Sequence, residues 1–140
     1  MSMRQEMYFE SGLLNVRAEG KFSLEEAKTA FLEIVEAVAQ YQAEKVFFDG
    51  RKIDGKPQVM ERYLYGEFVA NEIHRLLKEH RISHAPRFAY VLTEPVGDPQ
   101  RLGETVALNR GMVVKTFETP EEALGWLHGT PANSPDAGDA

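Results

Sequence analysis

Cysteine is missing from all 140 residues, which excludes disulfides, zinc–thiolate centres and thiol nucleophiles. No apolar run is long enough to span a bilayer. The opening Met1-Ser2-Met3-Arg4-Gln5-Glu6 has no apolar secretion core, so the expected address is the cytoplasm. Positive charge is in short supply: 16 Lys and Arg stand against 22 Asp and Glu, a formal net charge of -6. A nucleic-acid surface needs a basic stripe, so nucleic acid is not an expected partner. Neither a Walker loop nor a dinucleotide-binding glycine pattern occurs. Ser11, Ser23 and Ser83 sit in turn or cap contexts, none of them a nucleophile elbow. No internal repeat or second domain is visible. What remains is an ordinary globular composition, 43% hydrophobic and 27% charged, in a length that buries one core.

The pattern along the chain alternates between two periods. Residues 7–10 and 13–18 are short strands around Ser11-Gly12, and Leu14, Val16 and Ala18 give the second a distinctly apolar face. Glu19-Gly20-Lys21 is expected to break that strand. Ser23 and Glu26 form a capping box that opens an amphipathic helix ending near Tyr41. Val46 to Phe48 form a strand that Asp49-Gly50 is expected to end, and Pro57 precedes a second helix from about Val59 to His80. Residues 87–92 form a nearly continuous apolar strand, the pattern of a strand covered on both faces. Asp98-Pro99 offers an N-cap and first-turn proline for a short third helix carrying Leu102, Val106 and Leu108. Residues 112–117 are the last strand. Thr119-Pro120-Glu121-Glu122 caps a final helix, beneath which Trp126 is expected to pack. The tail, 130–140, has nothing large to bury and is expected to be disordered, leaving a domain over 1–129.

The order β-β-α-β-α-β-α-β-α predicts an α/β fold with a single mixed, mostly parallel five-stranded sheet covered by four helices. The strands at 13–18, 46–49, 87–92 and 112–117 should be mutually parallel, the first strand antiparallel to them. Phe47 and Val91 should be nearly inaccessible to solvent.

Candidate chemistry concentrates between Lys45 and Ala70, where a strand feeds a loop and then a helix, a junction at which ligands tend to sit. Asp49 and Asp54 are each followed by glycine, first of all a turn signal; a carboxylate pair for acid–base work or a hard metal is the alternative. Arg51, Lys52 and Lys56 precede a helix N-terminus, where backbone amides and the helix dipole favour an anion or an acidic partner patch. A solvated basic loop is the plainer account. His74, His80, His84 and His128 read as surface or helix-terminus histidines, because Ser83, Ala85 and Pro86 interrupt the helical spacing of His80 and His84. No metal or cofactor is expected. In the second helix, Tyr65, Val69, Ile73, Leu76 and Leu77 gather on a sheet-facing side at about 100° per residue, with Gly66 and Ala70 in the same sector. Close backbone approach accounts for a glycine there. Met60, Leu64 and Phe68 point roughly the other way and, with Tyr63, form a candidate interaction patch or a second packing face.

The segments V-F-F-D-G-R-K-I-D-G-K-P, M-E-R-Y-L-Y-G-E-F-V-A and F-E-T-P-E-E-A-L-G-W-L resemble the STAS domain superfold, the fold of bacterial anti-sigma-factor antagonists. More closely the chain resembles the STAS/SEC14-like, sporulation-antagonist-like group, over roughly residues 7 to 128. The resemblance implies a small non-catalytic module for protein–protein regulation or for binding a small ligand. Sporulation-type antagonists carry a phosphorylatable serine after this strand. Residues 49–60 here hold no Ser, Thr or Tyr, so the phosphoserine switch is not expected. The resulting expectation is a regulatory binding module with a protein partner or a second copy of itself. Alternatives are a carrier or sensor of a small apolar or lipid-like ligand, suggested by Tyr63, Tyr65 and Phe68, and a hydrolase or transferase using Asp49 or Asp54.

Overall fold

A computed structural model describes residues 3–82, 84–97 and 101–129. The elements are β1 (Arg4–Glu10), β2 (Leu13–Lys21), α1 (Leu24–Tyr41), β3 (Lys45–Asp54), α2 (Val59–Glu79), β4 (Arg87–Val91), α3 (Leu102–Asn109), β5 (Val113–Phe117) and α4 (Pro120–His128). They form one five-stranded sheet in the order β1-β2-β3-β4-β5. The β1–β2 pair is antiparallel, and the β2–β3, β3–β4 and β4–β5 pairs are parallel. This is the expected mixed sheet and element order. The expected tail, 130–140, and the Asp98-Pro99 cap lie outside the described residues. Arg101, in a left-handed conformation with φ 56°, stands at the N-cap of α3.

Local chemistry explains the boundaries. Ser11 and Gly12 both have positive φ, 53° and 81°, and Glu10 pairs directly with Leu13. That is the two-residue turn whose twist suits a hairpin. The Ser23 hydroxyl accepts from the Glu26 N–H at the start of α1, and Thr119 accepts from the Glu122 N–H at the start of α4.

Two strand ends differ from expectation for one reason. Asp49-Gly50 lies inside β3 and does not end it, and Glu19-Gly20-Lys21 continues β2. Between the pairs Arg17–Asp49 and Glu19–Lys52, β3 has one residue more than β2. The excess is a β-bulge, after which pairing resumes through Gly20–Ile53 and Lys21–Asp54. Gly50 is needed there for space: a β-carbon would lie 2.7 Å from Leu92 Cδ2 and 2.9 Å from Phe48 Cε1. The true turn is the second Asp-Gly pair, where Gly55 has φ +112° and the Asp54 carbonyl accepts from the Phe22 N–H at 2.7 Å.

Four parallel strands laid down in spatial order need three crossovers stepping the same way. Crossovers of one hand then place α1, α2 and α3 on one face. The main core follows: Phe31 and Ile34 of α1 and Val69 and Ile73 of α2 pack with Val46, Phe48 and Phe88 of the sheet. Among the described residues the opposite face is covered by α4 alone, through Ala123 and Leu127 on Ala89 and Val91. Val91 is fully buried, as expected for β4 between two layers. Phe47, expected to be inaccessible, is only half-buried, because it lies on the α4 face at the flank of that short helix. Trp126 is half-buried, with Phe117 at 5.8 Å between ring centroids and the Arg87 guanidinium 4.2 Å over its ring.

Candidate functional site

The loops that follow β2, β3, β4 and β5 all open at one end of the sheet, and the sequence-derived candidates lie there. Asp49 and Arg51 point to the α4 face as alternate residues of β3 and hold each other. Arg51 Nε donates to Asp49 Oδ1 at 2.9 Å and Nη2 donates to Oδ2 at 2.8 Å. The guanidinium hydrogen bonds hold the Asp49 carboxyl below its ordinary range, against the opposing effect of partial burial. The Asp49 carboxylate raises the pKa of Arg51 in turn. Arg51 therefore contributes a neutral pair to this surface. Lys52, Asp54 and Lys56 are exposed, with no ion-pair partner within 4.0 Å among the described residues. The first turn of α2 carries its own acid: Glu61 Oε1 accepts from the Gln58 N–H at 2.8 Å. Among the described residues no group of His, Asp and Glu is arranged to hold a metal ion.

The candidate patch on α2 divides. Met60 is 61% exposed and Tyr63 36% exposed, while Leu64 and Phe68 are half-buried. Phe68 packs against the main core, with Lys28 Nζ of α1 5.5 Å over its ring. Tyr63 leans toward α3, where the Arg110 guanidinium lies 5.8 Å over its ring and pairs with Glu67 at 3.2 Å. Val59, which sequence reasoning passed over, is 72% exposed beside Met60. Arg62 ties the same turns to the loop after β4, donating to the Val96 and Pro95 carbonyls at 2.9 and 2.7 Å. The start of α2 and the 93–97 loop are thus one surface.

Behind that surface, between the sheet and α1, α2 and α3, lies an apolar cavity of about 130 Å³. It reaches Pro57 of the β3–α2 loop and Val96 of the β4–α3 loop. Tyr65 from α2 and Tyr90 from β4 line it, their hydroxyls 3.0 Å apart. Burial pushes the Tyr65 hydroxyl up to about 12, partly offset by its bond to Tyr90. The Tyr90 hydroxyl is also raised, by burial first and then by its neighbour. Gln5 of β1 lines the cavity too. Its Nε2 donates to the Ala30 carbonyl at 2.9 Å, and its buried Oε1 has no partner. Of the aromatics that suggested a carrier, Tyr65 faces the cavity, and Tyr63 and Phe68 are not in its lining. A signal for the pair was present in the sequence. A tyrosine in the covered strand 87–92 and another on the sheet-facing side of α2 each need a hydrogen-bond partner.

No helix among the described residues is long and apolar enough to cross a membrane. No protein-family model matches the chain. No curated protein matches it either. Among solved structures the chain is similar to the crystal structure of an anti-sigma factor antagonist from Mycobacterium paratuberculosis. The two share 13% identity over 91% of this chain and 96% of that one, with a TM-score of 0.57. The NMR structure of the protein TM1081 aligns at 16% identity over 89% of this chain and 88% of that one, with a TM-score of 0.44. The likeness to the antagonist shows that the fold is STAS-like.

Proposed function

We propose that this chain is a non-catalytic regulatory module that works by binding a protein partner, without a phosphoserine switch. The binding surface combines the start of α2, the loop before it with Lys52 and Lys56, and the 93–97 loop. The carrying observation is the pair Val59 and Met60, 72% and 61% exposed on the first turn of α2. Adjacent large apolar side chains held in water mark interaction surfaces more often than solitary ones do. Similarity of fold to an anti-sigma factor antagonist, a regulator by its name, supports the reading. A catalytic role for Asp49 is disfavoured by the Arg51 fork that occupies both carboxylate oxygens.

The test is a double variant, Val59→Glu with Met60→Glu, at positions exposed enough to leave the melting temperature unchanged. Wild type and variant are used to capture partners from the native host, beside an unrelated acidic domain, and light scattering reads self-association. A protein bound by wild type alone, or a dimer lost in the variant, is the expected result. Identical captures and identical mass for both chains refute the surface.

A further inference from the structure

We infer that the cavity between the sheet and α2 is a binding site for a compact, neutral, largely apolar molecule carrying one hydrogen-bond-accepting oxygen. Its volume, about 130 Å³, is the first ground. Natural interiors hold few voids larger than a water molecule. An apolar cavity of about 150 Å³ stays dry and accepts benzene. Through Pro57 and Val96 the cavity also reaches toward the carboxyl ends of the parallel strands, where ligands of open α/β sheets collect.

The second ground is an unspent proton. Tyr65 and Tyr90 bring two hydroxyl hydrogens to one mutual bond, and whichever hydroxyl accepts keeps its own hydrogen. Neither hydroxyl has a further hydrogen-bond partner among the described residues. Buried donors are ordinarily paired, and an occupant with a carbonyl, ether or hydroxyl oxygen supplies the missing acceptor.

The third ground sets the charge. Every ionic group lining the cavity has a protein partner already. Arg62 donates to the Pro95 and Val96 carbonyls, and Glu61 accepts from the Gln58 N–H. Glu104 accepts from the Thr116 N–H at 2.6 Å and lies 3.9 Å from Arg101. A carboxylate or ammonium ligand would lose its hydration without a counter-charge, so a neutral molecule is selected. The volume suits about six to nine heavy atoms, the scale of a substituted benzene and far below a lipid with two acyl chains. This site opens beside the exposed surface proposed above and shares Pro57, Glu61, Arg62 and Val96 with its segments, but not Val59 or Met60.

The test uses p-cresol and toluene, which differ by one hydroxyl, titrated into the full chain and followed by methyl NMR at Ile34, Val69 and Val114. Saturable p-cresol shifts at these methyls, with toluene about tenfold weaker, are expected from one net hydrogen bond. The Tyr65→Phe, Tyr90→Phe double variant should bring p-cresol down to the toluene level. Ala107→Leu, placed to fill the void, should abolish both. If that variant fails to fold, the tyrosine variant decides alone. Absence of saturable shifts overturns the site. Equal affinity for the two probes, or p-cresol binding indifferent to the tyrosine hydroxyls, overturns the assigned ligand chemistry.

Discussion

Alanine at Gly66 probes the closest approach of α2 to α3. A β-carbon there would stand 2.5 Å from the Gly103 carbonyl oxygen and 3.2 Å from that residue's carbonyl and α-carbons. An ordinary carbon–oxygen contact lies at about 3.3 Å, so the helices must part by about 0.8 Å. Helix propensity pulls the other way, favouring alanine by about 1 kcal/mol. Overpacking costs about 1–3 kcal/mol, and the upper end applies here because the obstacle is backbone that cannot rotate aside. The difference is a net loss of about 2 kcal/mol. At this chain length that lowers the melting temperature by about 8 °C. Urea and thermal melts followed by circular dichroism measure it. Gly125 in α4 supplies the control, since a β-carbon there meets nothing within 4 Å. Gly125→Ala should leave stability unchanged or raise it by up to about 1 kcal/mol. A Gly66→Ala protein melting at or above wild type would refute the packing argument.

Two pH-dependent outcomes follow from the shifted groups. Asp49 is held below its ordinary value of 3.8, so its stabilisation is present above that pH and is lost as pH falls through the lower folded value. Asp49→Asn should cost about 0.5 kcal/mol near pH 7, as partly exposed ion pairs do, and the gap to wild type should close below about pH 3.8 in urea melts. A gap that persists unchanged at pH 2 would remove the ion pair as its cause. Tyr65 is raised from 10.0 to about 12, so its contribution is intact below pH 10 and is lost as pH climbs toward 12. Tyr65→Phe should therefore lose less stability than wild type between pH 9 and 12, and phenolate absorbance should show one fewer late-ionising group. Parallel losses in the two proteins would contradict the burial of that hydroxyl.

Where local signals agreed, the fold was legible in the sequence. Ser23 with Glu26 and Thr119 with Glu122 marked helix starts, Leu14, Val16 and Ala18 marked the buried side of β2, and the run after Arg87 marked a strand between two layers. Gly66 was legible as well, because a glycine in the sheet-facing sector of a helix implies close contact. The misread positions depend on partners distant in sequence. Asp-Gly marks a turn and a bulge equally well, and only pairing with β2 puts Asp49-Gly50 inside a strand. Burial of Phe47 depends on which face each helix covers. That is set by the order of strands in space, to which the pattern V-F-F is blind.

The site was less legible, and the reason is geometric. A void is a mismatch between volumes drawn here from seven elements, so no single stretch carries its signature. The first turns of α2 show why. Met60 and Tyr63 face outward and were found as an apolar surplus, whereas Tyr65 and Gly66 on the same turns, placed on the sheet-facing side, line the cavity together with Arg62, for which the sequence offered no reading. Those turns therefore have two surfaces on one short rigid segment, and Arg62 fastens the segment to the Pro95–Val96 carbonyls. An occupant of the cavity influences a partner on the outer surface only to the extent that it binds two positions of this segment unequally. The Gly66–Gly103 contact allows α2 little freedom toward α3, so any such displacement must run along the helix or away from the sheet. In either direction the displacement would have to stretch the Arg62 hydrogen bonds to the Pro95 and Val96 carbonyls.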